Sequence, residues 1–378
     1  MQVLHVLPLL STTAAYGGPA KGTEKQVRAL GEVGVQCEIL TLSPGAEIRG
    51  ARARELGGSR VWRFKFRSLG FHRFGTALSL SALFWALRNV RRFDVIHLHA
   101  GRDLWCLIVV RIAHARGVPI VWQTHGMLAP RSSRVVRIYD RILTRPAVRR
   151  TYSMLSLTAR EDRDLRSFGL PVVIQRCING VDAPAASPVP LATSGRAMFL
   201  SRLHPRKRLF ELIQAYALAQ SKGHMLPPLD VYGPDEGELE RCQDLVAQRD
   251  LTNVVHFRGP LDYGDVRRAM AAHAIFVLPS VDEPFPNVLL EALATGMTVV
   301  CTSESGVAPY IAAADAGLVC APDVESMSET LIAVSTDASQ SLGDMRLRAL
   351  TLAKSTFSME VVASTLERAY RDACQDGS

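Results

Sequence analysis

The chain has 378 residues, more than a single hydrophobic core usually supports, so its length predicts two domains of similar size. Its 48% of hydrophobic and 21% of charged residues are typical of a soluble globular protein, and no run of about 18 uncharged apolar residues predicts a membrane span. The net charge of +8 divides unevenly, because residues 1–182 hold 28 Lys and Arg against 12 Asp and Glu, whereas residues 183–378 hold 16 against 24. The basic first half predicts contact with an anionic surface, such as a membrane leaflet or a pyrophosphate-linked acceptor.

Nucleic acid is the competing partner for a basic half, but the sequence has no RRM, zinc-finger or helix-turn-helix signature, so we expect no nucleic acid. The N-terminal stretch MQVLHVLPLL has neither a basic leader nor a small-residue cleavage site, which predicts a buried first strand in a cytoplasmic protein. The 7 cysteines are scattered without the paired spacing of metal ligands, which indicates reduced thiols in the cores.

Strand and helix signals alternate along the first half, as in a parallel sheet connected by helices. In chain order, the pattern predicts strands at 3–7, 36–42, 94–99, 119–123, 154–158 and 172–175, and helices at 20–33, 76–90, 104–116, 137–149 and 161–168. The proline-rich stretch that follows Asp182 predicts a linker between two domains.

Residues 60–74 alternate aromatic and basic side chains. Trp62, Phe64 and Phe66 would face one side of a strand, and basic residues the other. Two interpretations stay open: an ordinary half-buried strand with a charged outer face, or contact with a membrane surface, where aromatic residues beside basic ones are also favoured.

The second half alternates in the same way and therefore predicts a second parallel sheet. Its expected strands are 197–200, 228–232, 254–258, a strand that ends at 277–278, and 298–302; its expected helices are 209–222, 239–249, 287–295 and a last amphipathic helix near 361–373. The predicted domains are thus 1–182 and 196–360, joined by a linker at 183–195 and followed by a terminal helix at 361–378.

The segment VLPSVDEPFPNVLLEALATGMTVVC, residues 277–301, sets Glu283 and Glu291 eight residues apart around the start of a helix. Proline is tolerated only up to the first turn of a helix, so Pro286 predicts that the helix begins near Asn287. Amide groups at that start, such as those of Asn287 and Val288, would favour a phosphate, because their N–H groups and the helix dipole both attract negative charge. The two glutamates could then accept hydrogen bonds from sugar hydroxyls.

This segment resembles the E-x7-E signature of the retaining glycosyltransferases of family 4, which have the GT-B fold of two Rossmann-like domains. The resemblance covers nearly the whole chain and implies an α/β protein whose domains face each other across a cleft, with the C-terminal helix crossing back to the first domain. In the family pattern a glycine commonly stands where this chain has Pro286, so one amide donor is missing at the sugar's edge.

Two further segments carry the resemblance at the ends of predicted strands. Gly17 and Gly18 follow the first strand, where the family has a GG-containing loop beside the donor phosphates and the acceptor; the sequence YGGPAKG does not fit a G-x-G-x-x-G dinucleotide fingerprint. SRLHPRK, residues 201–207, resembles the family segment G-R-L-x-x-x-K with Ser in place of Gly. Arg202 and Lys207 would there neutralise a diphosphate leaving group.

His125 lies in the sequence THGM, which resembles a family segment whose histidine borders the sugar and the reaction centre. His97 and His99 alternate on a predicted strand and could suggest a metal pair, but no third ligand at a convincing spacing appears, so we expect no zinc. His99 and Arg102, at the open end of that strand, are better candidates for contacts with the acceptor. Gly233, in YGPDEG, resembles the family's turn near the base and ribose, and Arg258, in RGPL, resembles the loop whose main chain contacts the nucleobase.

The resemblance implies transfer of a sugar from a nucleotide diphosphate donor to a glycan or lipid-linked acceptor, with no metal or other cofactor and with closure of the domains to exclude water. Arg202, Lys207, Glu283 and His125 are the expected catalytic residues. The expected donor-binding residues are Gly17, Gly18, Gly233, Arg258, Pro286, Asn287, Val288 and Glu291. Cell-surface polysaccharide or glycolipid synthesis at the inner face of the membrane is the expected setting. Two alternatives stay open: a nucleotide-sugar epimerase with the same architecture, and a non-catalytic sugar-nucleotide-binding protein.

Overall fold

The structure, a computed structural model, describes residues 1–10, 17–43, 54–68, 75–182, 195–336 and 339–376. The chain divides into two compact units, of which the first contains Met1–Gly180 together with Met359–Ser378 and the second contains Val181–Ser358. The predicted linker at 183–195 lies outside the described residues except for Gly195, and so do residues 69–74 of the aromatic and basic stretch. Within the described parts of the chain, no helix combines the length and the apolar character that a membrane crossing requires.

The first unit is built on a parallel sheet with one antiparallel edge strand. Its strands are β1 (Gln2–Leu7), β2 (Gln36–Ser43), β3 (Arg54–Leu56), β4 (Ser59–Lys65), β7 (Val95–His99), β8 (Ile120–Gln123), β9 (Ser153–Ser156) and β10 (Val173–Arg176), and a separate hairpin contains β5 (Arg67–Ser68) and β6 (Ala77–Leu78). The order in the sheet is β10-β9-β8-β7-β1-β2-β4-β3. Strands β2, β3 and β4 lie on one side of β1 and strands β7 to β10 lie on the other, so the strand order reverses between β1 and β7. Open α/β sheets bind their ligands at such a switch point.

Helices cover both faces of this sheet. They are α1 (Gly17–Glu32), α2 (Leu80–Asn89), α3 (Leu104–Ala115), α4 (Arg134–Tyr139), α5 (Arg145–Val148), α6 (Ala159–Arg166) and the C-terminal helix α14 (Met359–Asp376). On one face, Leu4 and Leu98 pack with Trp105 of α3. On the other face, Val3 packs with Leu366 of α14, so the end of the chain completes the core of the first unit.

The predicted helix at 137–149 is interrupted. A π-helical segment, Asp140–Thr144, separates α4 from α5. The predicted helix at 76–90 begins only at Leu80, because the hydroxyl of Ser79 accepts a hydrogen bond from the amide of Ala82 and caps it there.

The aromatic residues of the stretch 60–68 pack inward. Phe64 belongs to the same core as Trp105, and the Trp62 ring lies 5.0 Å from the ring of Trp85. The Trp62 indole also donates a 2.6 Å hydrogen bond to Glu38. These contacts support the interpretation of an ordinary sheet strand and give no support to membrane contact by these aromatic rings.

The second unit is a parallel sheet of six strands. These are β11 (Ala197–Leu200), β12 (Leu229–Tyr232), β13 (Val255–Gly259), β14 (Ile275–Leu278), β15 (Thr298–Thr302) and β16 (Leu318–Cys320), in the order β13-β12-β11-β14-β15-β16. The helices are α7 (Leu209–Ser221), α8 (Leu239–Gln248), α9 (Tyr263–Ala271), α10 (Asn287–Thr295), α11 (Ala308–Ala313), α12 (Val324–Thr336) and α13 (Ser339–Ser355). The switch point of this sheet lies between β11 and β14.

The predicted helix after the first glutamate of E-x7-E is confirmed. It begins at Asn287 and ends before Gly296, whose φ of 73° is the left-handed conformation that terminates many helices. A Cβ at Gly296 would also lie 3.3 Å from the side chain of Leu350. The sequence pattern therefore located both ends of α10 correctly.

Candidate functional site

The switch point of the second unit brings two of the expected catalytic residues together. The loop after β11 contains Lys207 and the loop after β14 contains Glu283, and their side chains form an ion pair. The side chains of Lys207 and Glu283 are 12% and 17% exposed, so the pair is largely withdrawn from water. Because a partly buried charge pair is costly to leave incomplete, this ion pair holds both side chains in a fixed position at the carboxyl end of the sheet.

Main-chain contacts hold the two loops side by side. The amide of Val281 donates a 3.0 Å hydrogen bond to the carbonyl of Arg206, and the Arg206 guanidinium donates to the carbonyl of Asp282. Asp282 has a φ of 51°, a conformation that non-glycine residues rarely adopt. The carbonyl of Glu283 accepts a 3.0 Å hydrogen bond from Gly306. Glu283 is thus positioned by its neighbours on both sides.

Arg202 lies elsewhere at the same edge. Its guanidinium donates hydrogen bonds of 2.8 and 3.0 Å to the carboxylate of Glu236. The Arg202 side chain is 55% exposed, which leaves it accessible to a ligand. Among the described residues it pairs with Glu236 and not with Glu283, so the structure brings Lys207 but not Arg202 into contact with the acidic residue.

Gly233 occupies a position where only glycine fits. Its φ is 144°, and a Cβ built on it would lie 1.7 Å from the carbonyl oxygen of Ser201. The end of β12 therefore approaches the end of β11 more closely than any side chain allows. In the turn that follows, the carboxylate of Asp235 accepts hydrogen bonds from the amides of Gly237 and Leu239, which lower the pKa of that carboxyl.

The Arg258 side chain points to a charged network under the sheet edge. It donates a 2.7 Å hydrogen bond to Asp230, which also accepts from Arg196 and His273. Burial favours the neutral form of Asp230, but the hydrogen bonds from Arg196, Arg258 and His273 outweigh burial and lower its pKa well below the usual range. Any contact of this loop with a nucleobase would therefore come from its main chain.

At the start of α10, Pro286 is the N-cap residue and offers no side-chain cap. Asn287 and Val288 are the first residues of the helix, and Glu291 lies one turn further on, half-buried. In the first unit, Gly17 and Gly18 are the first two residues of α1, and residues 11–16 before them lie outside the described residues. The geometry at α10 agrees with a phosphate at the helix start.

The switch point of the first unit contains a chain of histidines. The Nε2 of His125 lies 3.1 Å from the Nδ1 of His99, whose own Nε2 lies 3.0 Å from the Nδ1 of His5. His97 faces the same side of the sheet and its Nδ1 lies 2.6 Å from the hydroxyl of Tyr370 on α14. His99 is only 1% exposed. It therefore lies beneath His125, not at a surface where it could contact an acceptor directly.

Burial keeps these histidines neutral. It lowers the pKa of His5 to about 3 and that of His125 to about 4. The pKa values of His97 and His99 also fall well below the ordinary value, first because of burial and then because of the neighbouring imidazoles. At neutral pH each ring therefore has one N–H donor and one acceptor nitrogen.

The expectation that His97 and His99 lack a third ligand is wrong as a statement about geometry. His5, His97 and His99 have nitrogen atoms that all lie within 4.8 Å of one another. His5 is the register partner of His97 across β1 and β7. Sequence spacing does not reveal His5 as the third histidine, because the three residues become neighbours only through the order of strands in the sheet. The sequence feature that could identify His5 is its position in the first predicted strand, where alternate side chains point to the same face of the sheet.

Glu161 binds the residues on both sides of His125, a role that sequence reasoning missed. One of its carboxylate oxygens accepts from the Thr124 hydroxyl and, at 2.6 Å, from the amide of Gly126. The other accepts a 2.7 Å hydrogen bond from the amide of Leu157. These contacts maintain His125 at a φ of 51°, a conformation that costs on the order of 1–3 kcal/mol and tends to occur at functional sites. The capping-box pattern T-x-x-E at the start of α6 marked this glutamate, but not its contact with the His125 loop.

Arg102 acts as a clamp within the first unit. Its guanidinium forms a bidentate pair with Asp140 at 2.8 and 3.0 Å and donates to the carbonyls of Met127 and Ala129. All three of its nitrogens therefore bind protein groups, and they tie the loop after His125 to the π-helical segment. The predicted acceptor contact by Arg102 would have to compete with these interactions.

Family models match both halves of the chain. The model described as "Glycosyl transferase 4-like domain" matches residues 17–177, and the model described as "Glycosyl transferases group 1" matches residues 191–349. Together they cover most of each unit, but not β1 or α14.

Individual relatives agree with the family models. The O-antigen chain mannosyltransferase B of Escherichia coli is 30% identical over 172 residues, which span 45% of this chain but only 43% of that relative. The 2-deoxystreptamine glucosyltransferase of Streptomyces kanamyceticus is 27% identical over 84% of this chain and 90% of its own length. Among solved structures, Anabaena Alr3699/HepE in complex with UDP superposes with a TM-score of 0.75 at 17% identity, covering 98% of this chain and 100% of that one. This likeness shows that the two parallel-sheet units have the GT-B fold.

Proposed function

Because this chain belongs to the family 4 glycosyltransferases of the GT-B fold, we propose that it moves a sugar from a nucleotide diphosphate sugar to an acceptor hydroxyl with retention of the anomeric configuration. The observation that carries the proposal is the Lys207–Glu283 ion pair at the switch point of the second sheet. The pair would offer a cation to phosphate and a carboxylate to sugar hydroxyls, and Glu283 stands four residues before Asn287, where α10 begins.

The leaving group is a diphosphate, so the main requirement of the reaction is fixed positive charge. Lys207 supplies a point charge, and the first amides of α10 at Asn287 and Val288 supply donors that need no reorganisation. Arg202 can bind phosphate oxygens in a fork, since its side chain is accessible. This set of groups provides the electrostatic stabilisation without a metal ion.

The carboxylates have a different role. Glu283 would bind sugar hydroxyls once the phosphate takes over Lys207, and Glu291 would bind the ribose hydroxyls from inside the helix. No carboxylate is proposed as a covalent nucleophile; in the proposed reaction, the acceptor attacks from the same face as the leaving group, and the departing phosphate oxygen takes its proton. His125 would border the sugar and the reaction centre.

A thermal-shift screen tests the donor site directly. A nucleotide that binds only the folded protein stabilises it by about 2.7 kcal/mol at a hundred times its dissociation constant. UDP is the first ligand to test, because a solved relative was crystallised with it, followed by GDP and their sugar conjugates. We expect the melting point to rise with one of them, and Lys207→Ala to reduce that rise, whereas Lys222→Ala, at the exposed end of α7, should not.

Incubation with labelled donor separates transfer from the two alternatives. A transferase gives product only when an acceptor pool is present, whereas an epimerase converts the donor sugar without any acceptor. A protein that binds the donor but gives neither product would be a non-catalytic sugar-nucleotide-binding protein.

The acceptor is proposed to be a glycan or a lipid-linked sugar of cell-surface polysaccharide or glycolipid synthesis, and the protein is proposed to act in the cytoplasm at the inner face of the membrane. The basic first half motivates this proposal, and one relative is an O-antigen chain mannosyltransferase. No group of the proposed site requires a nucleic-acid partner.

A surface of the first unit suits an anionic membrane. Val135, Ile138 and Ile142 follow one another at helical spacing and are 76%, 60% and 59% exposed. Exposed arginines flank them, namely Arg134, Arg137, Arg141 and Arg145. An apolar stripe with basic neighbours can insert into the headgroup region while the charges bind anionic lipids.

Vesicle binding tests this surface. We expect binding at low salt to vesicles that contain phosphatidylglycerol and not to pure phosphatidylcholine vesicles. Replacement of Arg134, Arg137 and Arg141 by Glu should abolish binding, whereas the same change at Arg267 and Arg268 of the second unit should not. Equal binding by both variants would count against the surface.

A further inference from the structure

The histidine chain of the first unit has a direction that can be worked out from its hydrogen bonds. His99 lies between His5 and His125, with its Nε2 3.0 Å from His5 and its Nδ1 3.1 Å from His125. A neutral imidazole has one donor and one acceptor nitrogen. If His99 accepts at one nitrogen it must therefore donate at the other, so the protons of both hydrogen bonds run the same way along the chain.

The environment of His5, at the buried end of the histidine chain, decides in which direction the protons are donated. The Nε2 of His5 is buried and has no hydrogen-bond partner among the described residues. An N–H group in that position would be an unsatisfied buried donor, which is rarer and more costly than an unsatisfied lone pair. His5 is therefore protonated on Nδ1 and donates to the Nε2 of His99, and His99 in turn donates from Nδ1 to the Nε2 of His125.

We propose that His99, oriented by His5, is a positioning residue that fixes His125 as the Nδ1–H tautomer, so that His125 offers a hydrogen-bond donor to an oxygen of the substrate. The proposal rests on the function proposed above, in which His125 borders the reaction centre. No described residue bonds to the Nδ1 of His125, so this nitrogen is the one that can meet a ligand. His125 is partly buried and lies in the loop after β8 with a φ of 51°.

In this tautomer His125 would act as a hydrogen-bond donor. A nitrogen that already has a proton cannot remove one from the acceptor hydroxyl, so His125 would not act as a general base. It would instead donate a hydrogen bond to a sugar hydroxyl, or to the phosphate oxygen that gains negative charge as the bond to the sugar breaks. The lowered pKa of His125 agrees with this role, since a neutral ring donates a hydrogen bond without adding a buried charge.

A metal ion is the other occupant that three imidazoles suggest. Three neutral imidazoles are a set that can bind zinc, so the composition of the group His5, His97 and His99 does not decide between the two occupants, and the contacts between the rings do. Metal ligation by the Nε2 of His99 would remove its hydrogen bond from His5. The hydrogen-bonded chain is therefore the interpretation that the contacts favour.

Nitrogen NMR of the histidine side chains tests the proposal without substrate. Spectra of ¹⁵N-labelled protein distinguish protonated from unprotonated ring nitrogens, and the His125→Gln variant identifies the His125 signals. We expect His125 to be protonated on Nδ1. Protonation on Nε2, or a stoichiometric bound metal in the purified protein, would overturn the proposal. This measurement gives a result even if no donor or acceptor is found.

Two substitutions of His99 separate positioning from simple packing. Asparagine places its amide where the Nδ1 of His99 lies, and can still donate to His125, whereas glutamine reaches only the position of the Nε2. We expect His99→Asn to retain the Nδ1–H tautomer of His125 and His99→Gln to lose it. Tyr370→Phe, which removes the hydroxyl bonded to His97 in the same core, is the matched control and should leave the tautomer unchanged.

Kinetics add a second readout once a substrate pair is known. His99→Gln should lower kcat by about tenfold, equivalent to about 1.4 kcal/mol, with little change in KM for the donor, and His99→Asn should restore most of it. Equal losses in both variants would indicate a merely structural role. A protein that shows the predicted tautomer but no transfer would leave the positioning intact and refute the proposed function instead.

Discussion

Acidification should strongly destabilise the first unit over a pH range where an ordinary domain keeps its stability. Burial lowers the pKa values of His5, His97, His99 and His125, so these rings stay neutral in the folded protein well below the ordinary pKa of 6.5, near which the unfolded chain takes up protons. The unfolded state therefore binds more protons below pH 6.5, and stability is full above that value and is lost as the pH falls below it. Among the groups that face the cluster, Tyr370 is neutral and Gln123 is an amide, so neither offers a compensating negative charge.

The expected loss is large because four groups act together. At about pH 5.5, proton uptake by one unfolded histidine with a pKa of 6.5 favours unfolding by about 1.4 kcal/mol, whereas at about pH 7.5 it contributes less than about 0.1 kcal/mol. Four histidines give a loss of about 5 kcal/mol between these two pH values. A domain typically has only about 5–15 kcal/mol of stability in total, so a large part of it should disappear over this range.

Tryptophan fluorescence isolates the unit that contains the cluster. The 4 tryptophans of the chain, Trp62, Trp85, Trp105 and Trp122, all belong to the first unit, so urea unfolding followed by their emission reports on that unit alone. We expect the urea midpoint to fall sharply from about pH 7.5 to about pH 5.5 with an unchanged m-value. A variant with His97→Phe should lose about a quarter of this pH dependence, and Tyr370→Phe should retain all of it. An unchanged midpoint in the wild-type protein would refute the reasoning, because the folded cluster would then accept protons.

Three further changes probe other parts of the molecule. Gly233→Ala should destabilise the second unit by at least about 2 kcal/mol, because its Cβ would collide with the carbonyl of the preceding strand, whereas Gly343→Ala, in a helix with open space around it, should raise the melting point slightly. Lys207→Ala should weaken binding of the nucleotide diphosphate and lower kcat/KM by about a hundredfold or more, with a circular-dichroism spectrum like that of the wild type. Glu161→Gln should lower the free energy of unfolding, measured in urea, by about 1–3 kcal/mol, because an amide N–H would then face a backbone N–H that the carboxylate accepts in the wild type. It should also lower the rate of transfer, because the loop that contains His125 would be released.

The fold was largely accessible from the sequence because its strands are buried on both faces. The strands β14 and β15 are continuous apolar runs bounded by proline, serine and glycine, and such runs predict central strands of a parallel sheet. The ends of α10 were equally accessible, because Pro286 limits where a helix can begin and Gly296 favours the left-handed conformation that ends it. These are local signals, and each depends on residues that are close in sequence.

The contacts that define the sites were less accessible because they join residues that are distant in sequence. The sequence motifs mark Lys207 and Glu283 as two separate site residues. Only the adjacency of β11 and β14 brings them together as an ion pair. The sequence does not connect His5 with His97 and His99, because these partners are more than 90 residues away and the three rings meet only in the assembled parallel sheet. The π-helical segment after Tyr139 has no comparable pattern, since the apolar spacing of residues 137–149 also fits a continuous helix.

The ion pair of the second unit has a consequence for how a donor would bind. Lys207 is held by Glu283, and a diphosphate that binds Lys207 must therefore displace that carboxylate or share the lysine with it. In the proposed reaction, displacement would free Glu283 to accept hydrogen bonds from the sugar when the phosphate neutralises the lysine, so one exchange would prepare both halves of the proposed donor site. A nucleotide that lacks a sugar would leave Glu283 near the phosphate without a hydrogen-bond donor, and the repulsion between the two anions would weaken its binding. If the proposed donor site is correct, the ion pair should therefore favour the complete nucleotide sugar over the free nucleotide, and this selectivity would help a transferase to bind its substrate and release its product.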